Sequence, residues 1–180
     1  LNTTYTVNVY SFNGNSSIDN SNVSSNDTNI VPSLSFSLEQ LGSDITGINA
    51  NDYSGKYLSM SDDGTIIAIG EYGYNSVRVF EYSNSSWSQK GSTINKSDTQ
   101  FGTRVKLSSD GSKLFVSSQT NFYVFKYEND DWSEKTSISD TNEINFDTSK
   151  DGTIVAIGDG TAEEVKLSLI HISEPTRRTQ

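Results

Sequence analysis

Adjacent acidic residues are the clearest candidates for chemistry in this sequence, and they occur as three pairs: Asp62/Asp63, Asp130/Asp131 and Glu163/Glu164. Two carboxylates could share the acid and base roles of glycoside hydrolysis. Neighbouring residues on a strand, however, point to opposite faces of a sheet, and those in turns face solvent. We therefore interpret the three pairs as solvated charge and predict no catalytic residue from them.

The chain has a single histidine, His171, which could in principle act as a general base or a metal ligand. The sequence contains no Walker loop, no G-x-S-x-G elbow, no H-E-x-x-H pair and no G-x-G-x-x-G fingerprint. It also contains no cysteine, which excludes a thiol nucleophile, a disulfide and Cys-ligated zinc. These observations predict a protein that is not an enzyme and has no cofactor.

The charge of the chain limits its partners. The formal net charge is -10, and the 13 basic residues are scattered along the sequence, so neither nucleic acid nor an anionic membrane surface is an expected partner. No apolar run approaches the ~20 residues that cross a bilayer, so membrane insertion is not expected. A cation such as calcium is the partner that this charge mildly favours.

An internal repeat organises most of the sequence. The segments LSMSDDGTIIAIG (58–70), VKLSSDGSKLFVS (105–117) and FDTSKDGTIVAIG (146–158) share an apolar strand after a Ser-x-Asp-Gly turn. A second landmark follows in SVRVFEYSNSSWSQKGSTI (76–94) and NFYVFKYENDDWSEKTSI (121–138). The repeat landmarks are Asp63, Gly64, Asp110, Gly111, Asp151, Gly152, Phe80, Tyr82, Phe125, Tyr127, Trp87 and Trp132.

Each repeat is expected to form four antiparallel strands, with the Asp-Gly pair in a tight turn between the first two. The third strand is apolar on both faces and must be covered on both. Stacked copies of a small sheet provide that cover, so the sequence predicts an all-β chain built from β-propeller blades. The recurring Trp87 and Trp132 could be blade-packing anchors or an exposed carbohydrate platform, and their fixed register favours packing.

The repeat predicts about two and a half blades, too few for a closed ring. SLEQLGSDITG (37–47) matches SWSQKGSTINK (86–96) and is interpreted as the fourth strand of a preceding blade. The predicted segments are 1–10, the last strand of an upstream β-sandwich; 11–32, a disordered Ser/Asn-rich linker; 33–94, that fourth strand plus the first full blade; 95–138, the second full blade; 139–166, half of a third; and 167–180, a non-native tail.

Two resemblances complete the interpretation. LSLIHISEPTR, which opens the tail and contains His171, resembles the translated transposase adapter used to build sequencing libraries. The motifs LGSDITG, LSMSDDGTIIAIG, VRVFEY and SSW, within residues 37–165, resemble the FG-GAP, integrin-like propellers of large exported bacterial surface proteins, and the blade pattern is also similar to WD40 repeats. The turns SDDG, SSDG and SKDG depart from the D-x-D-x-D-G calcium loop of such propellers and offer too few oxygens.

The FG-GAP resemblance implies an extracellular or cell-surface location and a non-catalytic role in binding, adhesion or display. The expected partners are a glycan, a matrix component or a protein, together with the remaining blades of a longer chain. The alternative is a fragment of a propeller-type enzyme, such as a glycan-processing hydrolase, whose catalytic residues lie outside this chain.

Overall fold

The computed structural model describes residues 5–7, 34–36, 39–139, 144–159 and 164–170. The chain divides into two compact units, Leu1–Leu41 and Gly42–Gln180. In the first unit, β1 (Tyr5–Val7) pairs antiparallel with β2 (Leu34–Phe36). The predicted linker at 11–32 lies outside the described residues, and the upstream β-sandwich stays a prediction.

The second unit begins with two antiparallel sheets, each built on four strands, and the first has a short fifth strand at its side. The first contains β3 (Tyr57–Met60), β4 (Ile66–Glu71), β5 (Ser76–Ser83) and β6 (Ser86–Gln89), and the short β7 (Ile94–Asn95) pairs with the start of β5. The second contains β8 (Arg104–Leu107), β9 (Lys113–Ser117), β10 (Asn121–Glu128) and β11 (Asp131–Ser139). In both sheets the strands pair in chain order, so the predicted four-stranded antiparallel unit is confirmed.

A third sheet has three strands, β12 (Ile144–Thr148), β13 (Ile154–Asp159) and β14 (Glu164–Leu169). The sequence predicts half a unit that ends at residue 166, with the tail taking no part in the fold. The structure corrects this, because β14 runs to Leu169 and Leu167 lies opposite Ala156. The alternating EVKLSL pattern explains the extension, since it suits a strand as far as Leu169. Residues 171–180, with His171, lie outside the described residues.

The interpretation of 37–47 as a fourth strand is also corrected. Residues 39–47 form no strand, and Gly42 has a φ of 74°. β2 (Leu34–Phe36), which precedes this segment, pairs with β1 in the first unit.

The core lies between the sheets, because alternate side chains of a strand point to opposite faces. Tyr123 and Phe125 of β10 belong to a cluster that also contains Val77 and Val79 of β5. Phe122 and Val124 of the same strand belong to a second cluster, which includes Val155 and Ile157 of β13. The second sheet is thus covered on both faces by its neighbours, and the predicted stacking is confirmed.

The Ser-x-Asp-Gly turns have the same hydrogen bonds in all three sheets. In the first, the Ser61 hydroxyl donates to Asp63 over 2.6 Å and accepts from the Ile66 amide at 2.9 Å, while Asp63 accepts from the Thr65 amide at 3.0 Å. The Gly64 amide donates to the carbonyl of Ser61 at 3.0 Å. Equivalent bonds close the turns around Asp110 and Asp151. The repeated aspartates are therefore turn-closing residues.

These turns also join one sheet to the next. The Asp62 amide donates to the carbonyl of Ser109 at 2.9 Å, and the Ser109 amide donates to the carbonyl of Lys150 at 2.6 Å. Ile66 contacts Gly111 of the following turn, and the Lys113 ammonium donates to the carbonyl of Asp151 at 2.6 Å. Ile66 and Lys113, which occupy the same position in successive repeats, therefore both make contacts between blades.

Acidification should weaken these turns. Hydrogen bonds from the Ser149 hydroxyl and the Thr153 amide lower the pKa of Asp151 to about 2. Burial raises the pKa of Asp110, but the hydrogen bonds to it prevail and the net direction is down, as it is for Asp63. Because the folded pKa is depressed, the stabilisation is complete above the unfolded value of ~3.9 and is lost as the pH falls toward 2. Urea unfolding between pH 6 and pH 2 should show this loss, with a shallower slope for Asp151→Asn.

The turn glycines allow a graded test of turn strain and contact between sheets. Gly64 and Gly111 both have positive φ, 74° and 66°. Alanine at Gly64 would add a Cβ at an ordinary contact distance of 3.8 Å from the Met60 sulfur, whereas alanine at Gly111 would collide with the Ile66 side chain. We expect Gly64→Ala to cost about 1 kcal/mol of unfolding free energy and Gly111→Ala about 1–3 kcal/mol more. Urea titration measures both, and Ile66→Val should recover part of the Gly111→Ala loss; equal costs for the two alanines would contradict the collision.

The outer face of β14 leaves apolar side chains in solvent. Val165, Leu167 and Leu169 are 72%, 76% and 65% exposed. The corresponding strand of the second sheet, β10, is covered on both faces. We expect the 180-residue chain to self-associate through uncovered blade surface, with a sedimentation coefficient that rises with protein concentration. A concentration-independent monomer would contradict this expectation.

Candidate functional site

Three neighbouring strands, β3, β8 and β12, carry the candidate site and are called the inner strands below. The Leu107 amide of β8 donates to the Ser59 hydroxyl of β3 at 2.9 Å, and Lys106 of β8 forms an ion pair with Asp147 of β12. A cleft of about 300 Å³ opens beside these strands. Its lining residues are Lys56, Tyr57, Leu58, Arg104, Val105, Lys106 and Phe146.

Lys56 lies at one end of this cleft among tyrosines. Its ammonium donates to the Tyr72 hydroxyl at 3.1 Å and lies 5.0 Å from the centre of the Tyr72 ring and 5.5 Å from that of Tyr57. The Tyr53 ring stacks on Tyr72 with centres 4.8 Å apart. The hydrogen bond to Tyr72 and the nearby tyrosines raise the pKa of Lys56, so this side chain is cationic at neutral pH.

The other two cations of the cleft lie on β8. Arg104 is exposed and forms no ion pair in the described part of the chain. Lys106 donates to Asp147, and this hydrogen bond, more than any other contact, lowers the pKa of the Asp147 carboxyl. The cleft therefore has positive charge that its own ion pair balances only in part, although the whole chain is acidic.

A second polar cluster lies in the first sheet. The Arg78 Nε donates to Glu71 at 2.7 Å, and its Nη2 donates to Glu71 and, at 2.9 Å, to the carbonyl of Thr46. Glu71 also accepts from the Ser76 hydroxyl at 3.0 Å. Glu71 is 2% exposed and Arg78 is 6% exposed. Both charges are paired and hydrogen-bonded, so this cluster is structural rather than a site for ligand.

The landmark residues predicted from the sequence do not meet in one site. The Asp-Gly pairs occupy the turns after the inner strands, and the aromatic landmarks lie on β5, β6, β10 and β11. Trp132 is nearly buried, donates from Nε1 to the carbonyl of Lys90 at 2.8 Å and packs beside Gly91. Trp87 packs in the same way beside Gly42, and each Trp lies opposite a tyrosine, Tyr82 or Tyr127. These contacts favour packing over a carbohydrate platform.

The acidic pairs likewise form no site. Asp62 pairs with Lys150 while Asp63 closes its turn, and Asp131 accepts from the amides of Ser92 and Trp132, both at 2.8 Å. Glu163 lies outside the described residues. Among the described ranges, no group of three or more His, Asp or Glu side chains is placed to hold a metal ion. The same ranges contain no helix long and apolar enough to cross a membrane.

Comparison with known proteins places the fold. No protein-family model and no curated protein sequence matches this chain. A candidate 6-phosphogluconolactonase from Bacteroides uniformis superposes with a TM-score of 0.57 at 18% identity. The superposition covers 70% of this chain and 38% of the Bacteroides uniformis protein. A second one, from Bacteroides fragilis, gives 0.54 at 15%, covering 68% and 36%.

The chain has a β-propeller fold. It spans less than two thirds of the length of the solved structures it matches. A Lactobacillus plantarum protein, for example, superposes with a TM-score of 0.50 at 21% identity, and the superposition covers 70% of this chain and 43% of that protein. At such identities the likeness concerns the fold of the blades. The three sheets of the second unit are thus propeller blades, two built on four strands that pair in chain order and one on three.

The sequence-based predictions did not include the inner-strand cleft. Its cations come from three positions that the repeat does not share, since Tyr57 of β3 occupies the place of Arg104 in β8. One signal was present: basic residues at the starts of inner strands in a chain of net charge -10. Lys56 can be recognised as a site residue only in the folded chain, because folding places Tyr53 and Tyr72 beside its ammonium group.

Proposed function

We propose that this chain is part of a non-catalytic β-propeller module that binds a ligand at the inner-strand cleft and is displayed outside the cell. The observation that supports binding is the meeting of Lys56, Arg104 and Lys106 with aromatic side chains in one open cleft. Concave sites with a few convergent polar groups on an apolar lining are typical of ligand binding. The extracellular location rests on the FG-GAP resemblance.

The repeated carboxylates support a binding role over a hydrolytic one. Asp63, Asp110 and Asp151 each accept hydrogen bonds from their own turn, and a lowered pKa makes a carboxylate a weaker general base. The described lining of the cleft offers cations and rings as ligand contacts. Such groups hold and orient an anion.

Lactone hydrolysis is the second candidate function, because two of the structural neighbours are candidate 6-phosphogluconolactonases. Water would have to attack the lactone carbonyl, with a base to take its proton and a donor to stabilise the oxyanion. Arg104 could supply the donor. Asp147 is the carboxylate beside the cleft, and its ion pair with Lys106 weakens it as a base.

The two functions are separated by assaying 6-phosphogluconolactone hydrolysis with the 180-residue chain against a buffer blank. The proposal expects the spontaneous rate, together with saturable ligand binding that Arg104→Gln weakens. Acceleration of hydrolysis that Arg104→Gln or Asp147→Asn abolishes would overturn the non-catalytic assignment. Antibody labelling of intact source cells tests the location, and labelling that requires permeabilised cells would contradict display at the surface.

A further inference from the structure

The inner-strand cleft has features that define a ligand class, and this step rests on the proposed binding function. We propose that its ligand is a small carbohydrate that carries a carboxylate or a phosphate. Three observations support this: cations without carboxylate partners, an apolar lining beside them, and the limited volume of the cleft.

The positive charge of the cleft favours an anionic ligand. Lys106 is balanced by Asp147, whereas Lys56 and Arg104 form no ion pair in the described part of the chain. The Lys56 ammonium uses one of its three donors on the Tyr72 hydroxyl, which leaves two for a ligand. The Arg104 guanidinium can bind a carboxylate or a phosphate through two parallel hydrogen bonds.

The apolar lining of the cleft indicates a ligand that has an apolar surface as well as an anionic group. Tyr57 and Phe146 are half-buried, so part of each ring is open, and Leu58 is 56% exposed. A pyranose presents a face of C–H groups that packs on such surfaces, and its hydroxyls can reach solvent or the cations. An inorganic anion would leave this apolar surface in water.

The size of the cleft limits the ligand. Its volume of about 300 Å³ lies at the lower end of ligand pockets, which run from about 300 to 1,000 Å³. That room suits one sugar ring with its anionic group. The net charge of -10 repels polyanions such as nucleic acid or heparin-like chains from the protein as a whole. A single charged sugar meets little of that repulsion, because screening confines it to about 10 Å.

The test uses the 180-residue chain and four probes: glucuronate, glucose 6-phosphate, glucose and inorganic phosphate. Saturation-transfer NMR and calorimetry should detect the two charged sugars and show glucose and phosphate binding at least tenfold more weakly. Arg104→Gln and Lys56→Gln should each weaken the charged sugars about tenfold, as expected for loss of a charge-assisted hydrogen bond. Raising the salt from 0.05 to 0.5 M should weaken them further.

Lys150→Gln is the matched control, because Lys150 is a cation in the turn at the far end of β12 and is 86% exposed. It should leave binding unchanged, and the thermal midpoint of each variant shows whether the fold is retained. Equal binding of glucose, binding of phosphate alone, equal loss in Lys150→Gln, or no binding of either charged sugar at millimolar concentration would each overturn the ligand class. A failure of the charged sugars alone overturns the ligand class and not binding at the cleft, whereas turnover of the lactone overturns the non-catalytic function on which the ligand class rests.

Discussion

Replacing Trp132 with alanine is expected to lower the free energy of unfolding by about 3–5 kcal/mol, the usual cost of truncating a large buried aromatic residue. Trp132 is 9% exposed and joins two blades. Its ring lies against Gly91 and, within its own blade, 5.2 Å from the Tyr127 ring. Its Nε1 donates to the carbonyl of Lys90. Urea unfolding followed by circular dichroism measures the loss.

Two further variants divide this effect into its parts. Trp132→Phe keeps much of the ring and removes the donor to Lys90, so we expect a loss of about 1–3 kcal/mol from the unsatisfied carbonyl and the smaller ring. Trp87→Ala changes the equivalent residue of the first blade, which is only half-buried, and should cost less than Trp132→Ala. If Trp87→Ala and Trp132→Ala cost the same, burial between blades does not explain the effect.

The repeat landmarks show what the sequence could predict. A turn closed by its own serine and aspartate needs only local residues, so SDDG, SSDG and SKDG predict their structure directly. The third strand, with apolar residues at successive positions, predicts cover on both faces, and β10 has it. The match of 37–47 with 86–96 aligns Gly42 with Gly91, and the structure places Gly42 beside Trp87 as it places Gly91 beside Trp132, although no strand forms at Gly42.

The features that the sequence did not predict depend on contacts between residues that are distant in sequence. The first blade has no described blade on its outer side, and the buried Arg78 takes the register that Tyr123 holds in the second blade. Sequence spacing gives no sign that Thr46 and Glu71 meet Arg78. The inner-strand cleft was missed for the same reason, because strand pairing and blade stacking bring Lys56, Arg104 and Phe146 together.

Arg78→Ala should be as destabilising as the tryptophan change, at about 3–5 kcal/mol, because it leaves the buried Glu71 carboxylate without its cation. Glu71 would keep the Ser76 hydroxyl as a donor. The Thr46 carbonyl would lose its bond from Arg78. Urea titration at pH 7 gives the cost, and a change below about 1 kcal/mol would show that water reaches Glu71 in the folded chain.

Removing both charges is the decisive control. In Glu71→Gln with Arg78→Met, no unpaired charge remains buried, and the methionine side chain can pack over the Phe80 ring where the Arg78 guanidinium lies. The amide that replaces the Glu71 carboxylate can still accept from the Ser76 hydroxyl. Replacing a buried ion pair by neutral groups of similar volume is often neutral. We therefore expect the double variant to be more stable than Arg78→Ala and close to the parent chain. A double variant as unstable as Arg78→Ala would mean that the ion pair itself, through its bond to Thr46, holds the 42–55 segment on the first blade.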